Sequence, residues 1–266
     1  MERIKEAVER ARSQRAGEQP AASAAASAPS APQELERNIQ YSETQVVAAD
    51  ARKLRNSKLI TGIEDERVRA AFKMLRTQVE QRMRSNDWKA CAVTCPTQDV
   101  DEAKTTVATN LAISLAWSMQ RTVLLVDLNL RNPGVHKRFG VNEAPGVIDY
   151  LVNDVPLKDL LFNPGIDRMT VLPGGKASGQ SSELLSSPKM GHLVRELKAR
   201  YEDRIIIFDL PPILISDDAM AFIPNADCSL LVVEDGETTQ DEMLESLHIL
   251  EDDGFLGVCL NGALSE

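Results

Sequence analysis

Residues 92–131 read AVTCPTQDVDEAKTTVATNLAISLAWSMQRTVLLVDLNLR, and their order decides the fold. The run opens as a short apolar strand, crosses a polar loop and becomes a helix that begins near Lys104. A second apolar strand follows and ends in Asp127. Strand, loop, Lys-Thr-Thr and helix are the layout of a phosphate-binding loop at a helix N-terminus. A later run, IIIFDLPP at 205–212, is another apolar strand that ends in an acid, Asp209.

Working outward, strands and helices alternate. Val68, Phe72, Leu75 and Val79 make one apolar stripe, which predicts a helix over Ile63–Met83. Trp88–Thr94 begins the sheet. Beyond Arg131, GVIDYLVNDVPLKDLL predicts a short helix, and Met169–Leu172 a short strand ending in the turn PGGK. SSELLSSPKMGHLVRELKARY reads as a helix with Ser182 or Ser187 as N-cap. Ile205–Phe208 and Ser229–Val233 are fully apolar strands of the kind buried in a parallel sheet. Asp217–Pro224 is a helical turn, Thr239–Leu250 an amphipathic helix, and Phe255–Leu260 closes the sheet at Asn261. The alternation predicts an α/β fold: a doubly wound, mostly parallel sheet flanked by helices.

This domain is expected over 62–266. Before it, Ile4, Val8 and Ala11 at helical spacing predict a short amphipathic helix over 1–15, either a solvated, fraying helix or a docking helix for another protein. An Ala/Ser/Pro linker follows over 16–33, and then a polar connecting arm over 34–61.

Composition narrows the function. The formal net charge is −10, and no Lys or Arg follows Arg204, so the C-terminal part repels nucleic acid and anionic lipid. An aromatic content of 4% argues against base stacking, so no nucleic-acid partner is expected. Cys91, Cys95, Cys228 and Cys259 sit in apolar contexts without metal spacing and read as buried thiols. His136, His192 and His248 also lack ligand spacing, and the serines of 178–182 lie near no His/Asp pair. With no apolar run near the ~20 residues that cross a bilayer, and a charged start instead of a signal peptide, the expected location is cytoplasmic. Membrane recruitment would need a partner.

The chemistry rests on a few residues. Lys104 would neutralise β- and γ-phosphate, Thr105 would hold Mg²⁺, and Thr106 completes the phosphate-binding run. Asp127 and Asp209 end neighbouring strands, where an acid orients metal-bound water or accepts a hydroxyl proton. Lys104, Asp127 and Asp209 are therefore the candidate catalytic set, and Thr105, Asp127 and Asp209 the candidate metal set. The loop itself departs from the pattern. GxxxxGK[ST] requires glycine at the positions of Gln98 and Ala103, and Asp99, Asp101 and Glu102 put carboxylates where a triphosphate would lie. Like charges at ~4 Å cost on the order of 4 kcal/mol at an effective dielectric of ~20, which is more than tenfold in affinity even when partly relieved.

From about Phe72 to Asn261 the residues resemble the bacterial tyrosine kinases of capsule and exopolysaccharide assembly, CpsD/CapB-like. AFKMLRTQV, LLVDLNLRNPGVHKRFG, GVIDYLVNDVPLKDLL, LPGGK, ELLSSPKM, IIIFDLPPILISDDA and CSLLVVEDGET occur in that family's order. The resemblance implies an ATP- and Mg²⁺-dependent autokinase that works with a membrane chain-length regulator of the Wzz type and can form homo-oligomers. It makes Asp127 the second-Walker acid, Asp209 the Walker B acid and Asn261 a candidate adenine contact. Four departures stand beside it. The PGEGKST-like loop is VDEAKTT, and the Asp-x-Asp pair is Asp127-Leu128-Asn129. The ExxRxxR assembly pattern falls on Ala70, Lys73 and Arg76, and the C-terminal tyrosine cluster is missing, with tyrosines only at 41, 150 and 201. Two functions therefore remain open: a working autokinase, or a pseudokinase scaffold of the same machinery. A ParA/MinD-type positioning ATPase shares the architecture, but Asp99 fills the place of its signature lysine.

Overall fold

In a computed structural model the described residues are 45–47, 56–118, 121–200, 203–251 and 254–263. The expected N-terminal helix and linker, Tyr41 and Tyr201 lie outside them. The described strands are β1 (Gln45–Val46), β2 (Ala90–Thr94), β3 (Thr122–Asp127), β4 (Phe162–Asn163), β5 (Met169–Leu172), β6 (Arg204–Asp209), β7 (Cys228–Glu234) and β8 (Phe255–Asn261). They form one sheet in the order β1-β4-β5-β3-β6-β2-β7-β8, parallel except where β4 meets β5. The doubly wound, mostly parallel α/β architecture expected from the sequence is the one observed.

The helices are α1 (Glu66–Ser85), α2 (Asp101–Ala116), α3 (Val135–Arg138), α4 (Val147–Asn153), α5 (Ser181–Leu185), α6 (Pro188–Ala199), α7 (Asp218–Phe222) and α8 (Gln240–Leu250). Side chains of the central strands alternate between two cores. Cys91, Val93, Leu125, Ile205, Ile207, Leu230 and Val232 pack with α1 and α2. Ala90, Ala92, Leu124, Val126, Ile206, Phe208, Leu231 and Val233 pack on the opposite layer with α6 and α7. Strands buried on both faces are why these runs are apolar without interruption.

α2 lies against the middle of the sheet, and its buried polar residues tie neighbours to it. Asn110 accepts from the Ile60 amide at 2.9 Å and donates to the Lys58 carbonyl at 3.0 Å. Leu59 and Ile60, expected in the connecting arm, are thereby buried in the core. The Ser114 hydroxyl donates to Phe72 O and the Arg76 guanidinium to Ser114 O, which fastens α1 across α2.

Two local differences from expectation have physical causes. The segment expected as one helix over 181–201 is two, α5 and α6: Pro188 lacks the N–H a continuing helix needs, and Ser187 caps α6 by accepting from the Met190 amide. The helix expected to start near Lys104 begins at Asp101, directly after a 3₁₀ turn over Gln98–Val100. Every residue with positive φ lies outside this loop. Without glycine the chain winds into a helical turn instead of arching around an anion.

Candidate phosphate-loop site

The site forms where β2, β3 and β6 end together. Asp127 and Asp209 are register partners on β3 and β6, and Asp209 is likewise paired with Val93 of β2. The chain after β6 folds back over the loop after β2. Ile213 and Leu214 amides donate to the Cys95 and Pro96 carbonyls, and the Thr94 hydroxyl donates to Pro211 O. This clasp fixes the loop's entry, and the first turn of α2 carries Lys104 and Thr105 onto the strand ends.

Lys104 is fully buried, and its ammonium donates to Asp209 Oδ1 at 2.5 Å. The Thr105 hydroxyl donates to the other carboxylate oxygen of Asp209 at 2.8 Å. Lys104 also pairs with Asp101 at 3.3 Å. Asp101 in turn accepts from the Asn129 amide with both oxygens, at 3.0 and 2.9 Å, and from the Gln98 amide at 3.2 Å. One backbone donor is used as well, since the Asp101 N–H closes the 3₁₀ turn onto Gln98 O. Burial alone would push the Lys104 ammonium down, but Asp209 and Asp101 outweigh it and hold it above the usual lysine range. Burial pushes Asp209 up against the pull of Lys104.

Asp127 is buried beside this pair and does a separate job. Its Oδ2 accepts from the Gly134 and Val135 amides at 2.9 and 3.0 Å and its Oδ1 from the Asn129 amide N–H, so it shapes the 128–135 loop and the start of α3. Burial, reinforced by the charge of Asp209, pushes its carboxyl up to about 7 despite these donors.

Of the candidate residues, Lys104, Thr105, Asp127 and Asp209 come together as expected. Thr106 does not join them; its hydroxyl donates back to Glu102 O within α2. Asn261 ends β8 at the sheet's edge, and its amide donates to Glu234. Two members were missed from sequence, Asn129 and Asp101 in its role as an ion-pair partner. The loop acids were read as obstacles to a ligand, and no local pattern shows that one of them turns inward. Beside the site, Arg131 grips Asp218 through two 2.9 Å bonds, and Ser181 donates to the same carboxylate. Among the described residues no group of three or more His, Cys, Asp or Glu is placed to hold a metal ion.

ATP, the nucleotide this layout implies together with Mg²⁺, does not fit beside Lys104 with Asp101 where it stands. The Lys104 ammonium already holds two carboxylates, Asp209 and Asp101, so a phosphate would have to displace one of them, whereas the Thr105 hydroxyl donates to Asp209 and keeps its lone pairs for a cation.

The fold and the Lys-Thr/Asp arrangement at its strand ends define the class: a P-loop NTPase fold with an altered loop. No protein-family model matches the chain. It is 31% identical over 195 residues to the tyrosine-protein kinase YwqD of Bacillus subtilis, covering 72% of this chain and 79% of that one. It is 34% identical over 166 residues to the succinoglycan biosynthesis transport protein ExoP of Rhizobium meliloti, covering 60% of this chain and 21% of that far longer one. Among solved structures, the kinase domain of the Escherichia coli tyrosine kinase ETK superposes with a TM-score of 0.66 at 29% identity, over 73% of this chain and 75% of that one. The chain belongs to the bacterial tyrosine-protein kinases.

Proposed function

We propose that this chain serves capsule or exopolysaccharide assembly as a kinase-fold regulator, and that binding a membrane partner, more than turning over ATP, is its work. The observation that carries this reading is the Asp101 carboxylate on the Lys104 ammonium, which already gives that cation a second anionic partner besides Asp209. The partner that fits is a chain-length regulator of the Wzz type, meeting the chain at the cytoplasmic face of the membrane. No described helix is long and apolar enough to cross a bilayer, so such recruitment would come through the partner. Of the α1 assembly pattern only Arg76 is kept, and one of its guanidinium N–H groups donates to Ser114 O.

A second reading, a working tyrosine autokinase, is favoured by the meeting of Lys104, Thr105, Asp127 and Asp209 at the ends of β3 and β6. Titration calorimetry of Mg-ATP and Mg-ADP into the full chain and into Lys104→Ala separates the two. No heat in either, together with nucleotide-independent binding of the regulator's cytosolic segment, supports the scaffold. Binding abolished by Lys104→Ala, with labelled phosphate incorporated into tyrosine, would replace it with the autokinase.

A further inference from the structure

We infer that Gln98, Asp101 and Asn129 form an internal latch that holds one carboxylate on Lys104 as a built-in substitute for a phosphate group. The inference deepens the closed-site reading above and rests on it. Three departures scattered in sequence meet at one place. Gln98 stands where the loop pattern calls for glycine, Asp101 is a loop acid, and Asn129 holds the second place of an Asp-x-Asp pair. All three side chains join in one network, with Asp101 at its centre and Lys104 closing it.

The chemistry of each member depends on the others. An anionic loop residue on Lys104 needs donors for its remaining lone pairs once it is buried, and Asn129 and Gln98 supply them. An aspartate at 129 would put a second carboxylate about 3 Å from the first, inside the buried site, where like charges repel strongly. Asparagine there is therefore the requirement that Asp101 imposes. Glycine at 98 would remove one of the donors and free the turn that carries Asp101 inward. Independent decay of a disused loop would have no reason to produce substitutions whose hydrogen bonds match.

The latch also gives the buried ammonium a second anionic partner from within the chain. Lys104 has a carboxylate on two sides, Asp209 from β6 and Asp101 from its own helix. In a loop built for nucleotide the second of these places belongs to the ligand. Here the protein carries the anion in its own sequence, and a free nucleotide must compete with an intramolecular group.

A swap of partners tests the latch itself. Melting temperatures of the full chain are compared for the parent, Asn129→Asp, Asp101→Asn and the exchange Asp101→Asn/Asn129→Asp. Asn129→Asp is expected to lower the melting temperature by about 5 °C, and the exchange to recover most of that loss. Additive effects, or a neutral Asn129→Asp, would overturn the latch. A second arm tests closure by titrating Mg-ADP into Asp101→Gly/Ala103→Gly and into Asp101→Ser, which removes the charge but keeps the start of the helix. Binding at least ~10-fold tighter than in the parent is expected in both. If the swap shows coupling but neither variant gains affinity, the network only stabilises the fold and its closing role is refuted. If the parent itself binds Mg-ADP as tightly as the opened variants, the closed-site reading fails first.

Discussion

At the scale of single residues, the site is a problem of one cation among three buried carboxylates. Lys104 satisfies Asp209 and Asp101, and Asp127 is left to backbone amides. Its folded-state value, about 7, lies above the unfolded aspartate value of about 3.9. Protonation therefore favours the fold: the contribution is fully present below about pH 4 and is lost as the pH rises through about 7. Asp127→Asn should flatten the decline in unfolding free energy between about pH 4 and about pH 7, measured by urea titration at each pH. A decline of unchanged slope would mean that the carboxylate is ionised throughout. The sequence made Lys104, Thr105, Asp127 and Asp209 legible because each sits at a strand end or helix start where the fold demands a particular chemistry. Asp101 and Asn129 were not legible as partners. They lie 28 positions apart, and only the return of β3 beside α2 brings them together.

At the scale of elements, strong periodicity carried the reading. Strands buried on both faces and helices with one apolar stripe were found in the right order, and Ser187 was anticipated as a cap. The two-residue strands β1 and β4 went unseen, since two residues have no period, and the first turn of α2 was missed because a glycine loop was the template. Tertiary ties now give these elements testable weights. Asn110→Ala would leave the Ile60 amide and the Lys58 carbonyl without their partner, at a cost of about 1–3 kcal/mol in urea unfolding. α4 starts so close to the PGG turn that a Cβ on Gly146 would fall 2.1 Å from Pro173 O. Gly146→Ala should therefore cost roughly 3 kcal/mol, the upper end of the usual range for overpacking, and a melting temperature within a degree or so of the parent would show that the turn can retreat.

At the scale of the whole molecule, the charge is as uneven as the sequence implied. A chain of net charge −10 with no cation beyond Arg204 should not co-sediment with duplex DNA at about 0.15 M salt, with or without Mg-ATP. Pelleting with DNA would return the positioning ATPases to consideration. The self-paired lysine has a wider consequence. A protein that gains stability from a bound metabolite is protected in proportion to that metabolite's supply. On the closed-site proposal the anion is encoded in the chain, so the domain's lifetime in a starving cell would be set by its own sequence and would not follow the energy charge around it. Such a component can hold its place in an assembly through lean periods, while neighbours that depend on nucleotide for their shape come and go.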